Sequence, residues 1–342
     1  MKSKKTAMSV IITDTHLKKD NFQQVKSVIQ QAIQVAKENH CNSVIHLGDH
    51  FVNRANQDLE TALNFMKLLD MFVENEIIFE TLPGNHDKSD QTVNESWLSL
   101  FENYAPAYVK IYEDASSVQA TEEIVYNFLP YYKDEIYQEK LMSLVLEPDK
   151  KNVLFTHQGI SGVLDNDGIK VSNSINKQCF SVFDKVFIGH FHNYSRVDKN
   201  IEFIGSTDAR TYGEDENKGC VILYDDLSTE RINFEFKKFK TIEIKEQEII
   251  NIEKIIKEYK NSEDNVRLCI SGNRDELVKV DKTKLNNLGF EVILTDTELI
   301  VVEEDEKTTL RTNRKELRKD FIGYCENKEI PKNKFVDVLK KI

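Results

Sequence analysis

An α/β layered fold is predicted by three observations. Apolar runs of strand length recur between residues 8 and 224: Val10–Ile12, Val44–Leu47, Ile77–Leu82, Val153–Phe155 and Val186–Ile188. The early intervals between them hold residues at helical spacing, the 3.6 period of one buried helix face. Each run ends in polar, chemically capable residues. Strands alternating with helices build layered sheets, in which ligands gather beyond the C-terminal ends of the strands. Alternation alone leads to a doubly wound sheet.

Along the chain, the first strand ends at Asp14 and His16. The helix after it carries Phe22, Val25, Val28, Ile29, Ala32, Ile33 and Ala36 on one face. The second strand ends at Gly48-Asp49 and is followed by a helix with Leu59, Ala62, Leu63, Met66, Leu69 and Phe72. The third ends at Gly84-Asn85-His86-Asp87, the next at His157, and the last at Gly189-His190-Phe191-His192. Past Lys240 the texture changes to a compact α+β module. It has helices at Glu246–Tyr259 and Lys282–Leu288, and strands at Val266–Ile270, Phe290–Leu294 and Leu299–Val302. An acidic run, Glu303–Glu306, leads into two helices near Arg314–Glu326 and Lys332–Ile342. The domains expected are therefore 1–240, 241–303 and 304–342, with 342 residues ample for two at ~100–200 residues each.

Five of the eight histidines sit at strand ends, with Asp14, Asp49 and Asn85 beside them. Neutral imidazoles and carboxylates are the donors that borderline divalent metals prefer. In Asp14-Thr15-His16 and His190-Phe191-His192 the partners are two residues apart, which on extended backbone turns both side chains to one side. A lone strand-end histidine or Gly-Asp turn is ordinarily structural, but the ordered set D-x-H, G-D, G-N-H-D, H, G-H-x-H is not an accident of composition. His40 and His46 are read as structural.

Composition bounds the rest. With 40% hydrophobic and 30% charged residues, the chain is neither collagen-like nor largely disordered. It has no apolar run of ~18 residues that could span a membrane. The basic start and the short run Ala7–Ile12 are read as a strand and not a signal peptide, so a cytosolic location (bacterial, or that of a phage-infected host) is expected. Five scattered cysteines argue against a disulfide framework or zinc ribbon. The net charge of −12 neither supports nor excludes a nucleic-acid substrate, because it governs long-range steering and not a local groove. The charge is uneven, with 11 Lys and Arg against 5 Asp and Glu from Lys307 to Ile342.

The ordered set resembles the calcineurin-like metallophosphoesterase signature over residues 8–224. That resemblance implies a two-sheet β-sandwich flanked by helices, with two metal ions at the strand ends. It implies that Asp14, His16 and His192 bind one ion, that Asn85, His157 and His190 bind the other, and that Asp49 bridges them. His86 is then the catalytic residue beside the scissile phosphate, with Asp87 expected to orient it. Manganese is the favoured metal; magnesium is possible, and the donor types also admit iron or zinc.

Within that family, Gly48-Asp-His-Phe-Val-Asn-Arg54 resembles the G-D-x-F-x-x-R element of SbcD/Mre-eleven-type DNA repair nucleases. Ile204–Gly219, with its Gly-Ser run, Glu214 and Lys218-Gly219, resembles a later segment of the same branch. The length and the extension after residue 240 are similar to small subunits of tailed-phage recombination endonucleases. The resemblance implies a DNA exonuclease and endonuclease, a homodimer within a heterotetramer with an SbcC-type SMC-like ATPase, and a role for the C-terminal helices in docking that ATPase. Arg54 and Arg210 are candidate DNA contacts, each weighed against an internal salt bridge. Val52 stands where some members have a histidine used at the DNA end, which leaves His50 as its candidate substitute. A stand-alone cyclic-nucleotide or small-molecule phosphodiesterase is the alternative function, and a catalytically silent scaffold for the ATPase the third.

Overall fold

The computed structural model describes residues 5–166, 168–172 and 174–297. The expected strand at 299–302, the acidic run and the two C-terminal helices lie outside the described residues. The chain divides into two compact units, one of residues 1–240 with 263–265, the other beginning at Thr241.

In the first unit the chain runs β1 (Ala7–Ile12), α1 (Phe22–Glu38), β2 (Ser43–His46), α2 (Leu59–Glu74), β3 (Ile78–Thr81) and β4 (Val109–Ile111). There follow β5 (Ser116–Gln119), β6 (Ile124–Leu129), α3 (Asp134–Ser143), β7 (Lys151–His157), β8 (Lys185–Gly189), β9 (Ser195–Asp198) and β10 (Ile201–Phe203). Strands β11 (Gly219–Tyr224) and β12 (Thr229–Asn233) close the unit. They form two six-stranded mixed sheets, in the orders β12-β11-β1-β2-β3-β4 and β5-β6-β7-β8-β10-β9. Strands β1 to β4 pair in parallel, as do β6-β7-β8-β10, while β11 and the edge strand β9 pair antiparallel.

Strand alternation decides the layers. Val10 and Ile12 point to one side of β1, where α1 and α2 cover them with Val25, Ile29, Ala32, Phe65, Leu69 and Phe72. Ile11 points to the other side and meets Phe128, Val153, Phe155 and Phe187 of the second sheet. The outer face of the second sheet is covered by Tyr132, Phe180 and α3, through Tyr137 and Leu141. Both sheets are thus buried on both faces, which is why their strands read as unbroken apolar runs. The doubly wound sheet that alternation alone suggests is replaced by two sheets packed face to face. Helix α2 begins where Asp58 accepts the Thr61 amide through its side chain, a standard N-cap.

The second unit has a three-stranded sheet, β13 (Phe239–Lys245), β14 (Asn265–Gly272) and β15 (Phe290–Asp296). Its core joins Ile244, Leu268, Ile270 and Val292 to residues of α4 (Ile252–Tyr259), α5 (Arg274–Leu277) and α6 (Lys282–Asn287). The helix expected from Glu246 starts as a 3-10 turn, and α4 proper begins at Ile252.

Candidate metal centre

The loops after β1, β2, β3, β7 and β8 converge, although His16 and His192 lie 176 residues apart in sequence. Four of the site residues, Asp14, His16, Asp49 and His190, hold left-handed backbone with φ of 56°, 44°, 58° and 93°. Such φ values are uncommon for non-glycine residues and gather at sites where the surroundings over-determine them. The glycines of the motifs admit this crowding. A Cβ on Gly84 would lie 2.2 Å from Asp49 Oδ1, and one on Gly48, itself at φ +94°, would lie 2.5 Å from the Gly84 nitrogen.

Two donor groups meet at Asp49. Asp14, His16 and His192 form one, with His16 Nε2 and His192 Nε2 at 3.2 Å and Asp14 Oδ1 at 3.7 and 3.9 Å from them. The other joins Asp49, His157 and His190, and Asn85 Oδ1 lies 3.1 Å from His157 Nε2 and 2.8 Å from His190 Nδ1. Asp49 turns Oδ2 toward His16 Nε2 at 3.8 Å and Oδ1 toward His157 Nε2 at 3.4 Å. One carboxylate therefore presents an oxygen to each group.

The donor atoms fit cations and not merely one another. Asp14 Oδ2 accepts from the Thr13 hydroxyl and the His190 amide, at 2.6 and 3.1 Å. Asp14 Oδ1 is buried with no hydrogen-bond donor, the state expected of an atom reserved for an ion. His157 Nδ1 donates to the Leu47 carbonyl at 2.6 Å and His16 Nδ1 to that of Phe51 at 3.3 Å. A carbonyl can only accept, so both rings carry a proton on Nδ1 and turn Nε2 inward as the atom that can ligate, the arrangement that second-layer hydrogen bonds impose on metal-binding histidines.

The electrostatics agree. Burial alone would raise the Asp14 and Asp49 carboxyls, but the surrounding imidazoles outweigh it and hold both well below the usual range. Burial likewise opposes protonation of His157, yet the Asp49 charge brings it up to about 9. Burial and the neighbouring His157 push His190 down to about 4. In the chain alone the carboxylates thus draw a proton onto His157, where a divalent cation would compete for the same place.

The groups form the floor of a cleft of about 620 Å³, whose walls include Lys18, Asn21, Gln24, Val52, Arg54, His86 and Asn166. His86 Nδ1 donates to the Val52 carbonyl at 2.6 Å, and its ring stands edge-on to His16 at 4.9 Å between centroids. Its donor atoms also fall within reach of His16 and Asp49.

Three expectations are corrected. Asp87 does not orient His86. Its buried carboxylate accepts from the amides of Asp49, His50, Phe51 and Gly84 at 2.8–3.2 Å, and lies 2.9 Å from His50 Nδ1. It staples the Asp49 loop to the Asn85 loop. His50 does not face DNA: it is 1% exposed, its Nε2 is 2.7 Å from the Thr81 hydroxyl, and it stacks on His46. Arg210 lines the cleft, but its guanidinium is bound inward, to Asp208 at 2.7 Å and to the Thr15 carbonyl. Arg54 alone of the three DNA candidates is exposed. His46, read as structural, bonds Thr15 Oγ1 and the Gly48 amide. Sequence reasoning missed Thr13 and Asn166, whose Oδ1 accepts the His192 amide at 2.6 Å. Neither lies in a motif, and no sequence signal marks them.

Residues 9–194, over half of the chain, match the calcineurin-like phosphoesterase family, and the chain belongs to that family. It is 24% identical to phosphoesterase 244L of Invertebrate iridescent virus 6, covering 63% of this chain and 74% of that protein. It is also 24% identical to the DNA double-strand break repair protein Mre11 of Saccharolobus solfataricus, over 82% of this chain and 79% of the relative. With the D component of the SbcCD nuclease of Staphylococcus epidermidis the identity is 23%, over 75% of this chain and 78% of the relative. Among the described residues, no helix is long and apolar enough to cross a membrane.

Proposed function

We propose that this chain is the metal-dependent nuclease subunit of a DNA repair or recombination complex, cleaving phosphodiester bonds as exonuclease and endonuclease. The observation that carries the reading is Asp49, whose two oxygens face two separate donor groups on the floor of one cleft beside His86. Asp14, His16, His192 and Asp49 would hold one divalent cation, and Asn85, His157, His190 and Asp49 the second, with manganese the favoured metal and magnesium also compatible. When bound, such a pair supplies positive charge to the phosphoryl oxygens and lowers the pKa of water. The chain's own residues do the rest. Asp49 fixes the spacing of the two groups. The Val52 carbonyl holds His86 by Nδ1–H, so that in the doubly protonated ring Nε2 carries the second proton and gives it to the leaving oxygen as a water oxygen bonds to phosphorus and the P–O bond breaks. Arg54 offers an exposed cation on the cleft wall for a neighbouring phosphate.

DNA as substrate is supported by the relatives named for DNA double-strand break repair and for the SbcCD nuclease. By the same likeness the partner is an SbcC-type SMC-like ATPase, in a heterotetramer built on a homodimer of this chain. Removing residues 307–342 is then expected to end co-purification with that ATPase and leave small-substrate hydrolysis intact; retained co-purification overturns the docking role of the tail. The substrate test compares duplex DNA with bis(p-nitrophenyl) phosphate, with and without manganese. Manganese-dependent cleavage of both is expected. Cleavage of the small diester alone, also in the presence of the ATPase, would favour the stand-alone phosphodiesterase. No cleavage of either by fully loaded protein would favour the scaffold.

A further inference from the structure

We infer that Glu214 and Lys218 are positioning residues that together fix the ring orientation and tautomer of His192. The inference rests on the proposed reading that Asp14, His16 and His192 share an ion.

Both residues lie in the segment that returns the chain from β10 to β11 past the site, and neither belongs to the histidine and aspartate motifs. Glu214 is clamped at one end. Its Oε1 accepts from the amides of Arg210 and Thr211 and from the Thr211 hydroxyl, each at 3.1 Å. The other oxygen, Oε2, is buried, 2.9 Å from Lys218 Nζ and 3.7 Å from His192 Nδ1. Lys218 has no exposed surface, and its ammonium also donates to the His192 carbonyl at 2.7 Å and to Asn193 Oδ1 at 3.3 Å. His192 is therefore gripped at its backbone by a cation and faced at its ring by an anion. Burying a carboxylate and an ammonium is expensive, and a pair of apolar residues would ordinarily serve stability as well.

The ring geometry gives the pair a use. His192 Nε2 faces His16 and Asp14, so it must carry a lone pair to join an ion there, and the ring proton must sit on Nδ1. A carboxylate opposite Nδ1 selects that tautomer. At 3.7 Å the contact is electrostatic, and it tightens to a hydrogen bond when the site is engaged.

The clamp on Oε1 makes the test sharp. In a Lys218→Met background, Glu214→Gln keeps its amide oxygen on the three turn donors and swings its NH2 toward His192 Nδ1. That forces the ring proton onto Nε2 and blocks ligation. Glu214→Ala removes the carboxylate and leaves both tautomers accessible. Manganese titration calorimetry of the full chain, with Asp14→Asn marking which binding step belongs to this group, should show E214Q/K218M losing that ion by roughly 10–100-fold relative to K218M. E214A/K218M should lose less, and the ion near His157 should bind as before. A merely structural role predicts the opposite order, with the isosteric glutamine milder than alanine and both ions affected alike; that result overturns the inference. Should the double variants unfold, nitrogen NMR of histidine-labelled wild-type protein still decides, because His192 must show the Nδ1–H tautomer and an Nε2–H ring refutes the assignment. Wild-type protein that takes up no ion at the Asp14 group would overturn the underlying reading, whereas normal wild-type uptake with an unaffected glutamine variant overturns this inference alone.

Discussion

Replacing Asp87 with asparagine separates two roles that the sequence alone does not. Five donors converge on this carboxylate, three on Oδ2 (Asp49 N, Gly84 N and His50 Nδ1) and two on Oδ1 (His50 N and Phe51 N). An asparagine keeps the three by placing its oxygen there, and turns its NH2 against the other two. Each buried donor left unmade costs about 1–3 kcal/mol. Two of them, with the weaker bonds of a neutral acceptor, come to about 4 kcal/mol, a large share of a typical domain's ~5–15 kcal/mol. At ~2–4 °C per kcal/mol for a domain of this size, the melting temperature should fall by about 8–16 °C. The loops carrying Asp49 and Asn85 should part, and manganese affinity should fall in both groups. Calorimetric unfolding and metal titration on the same preparation read both effects. If Asp87→Asn melts within about 2 °C of wild type and keeps its metal, but loses catalytic rate, then Asp87 acts on His86 after all and the staple is wrong.

His86→Asn should keep its metal and lose hydrolysis rate by roughly 10²–10⁴-fold; loss of an ion, which its proximity to His16 and Asp49 allows, would make His86 a ligand. Asp49→Asn should weaken both groups and abolish turnover, and two tightly held ions in that variant would refute the bridge. Arg54→Ala should weaken DNA binding and flatten its salt dependence with little change in stability, whereas Arg210→Ala strands the buried Asp208 carboxylate and should destabilise the fold by about 3 kcal/mol; equal stabilities in denaturant would contradict the distinction. Burial lowers the Lys88 ammonium from 10.5 to about 8, so between those values the unfolded chain binds more protons. This group's contribution to stability therefore rises as pH climbs from 8 to 10.5 and is lost as pH falls through 8. Denaturation midpoints across that range should rise more for wild type than for Lys88→Met, and parallel curves would refute the shift.

The strand-end donors were legible because their chemistry is written in side chains, in order, beside glycines that leave room for them. The staple was not legible, because most of the partners of Asp87 are backbone amides, which every residue carries and no letter marks. Arg54 and Arg210 look alike in sequence, and only tertiary placement turns one outward and the other onto Asp208, although that aspartate two residues earlier was a hint. His50 follows Asp49 and so looked available, yet the loop turns its ring into the aromatic packing around Phe65 and Phe79. The sandwich could not be told from a doubly wound sheet by periodicity, since strands covered on both faces show the same apolar runs in either. The family resemblance supplied that distinction.

The left-handed backbone at Asp14, His16, Asp49 and His190 bears on how an inactive form of this protein should be made. Asparagine and aspartate enter that conformation more readily than other residues with a side chain, because their short polar groups can bond locally. Alanine lacks that help. An alanine at Asp14 or Asp49 would change the chemistry and tilt the local backbone at once, so lost activity could not be assigned to either. Asparagine at either aspartate leaves the chain path as it is and removes one charge. An inactive version built this way keeps the chain path and gives up metal affinity, so its lost activity reads the chemistry of the site and not a distorted loop.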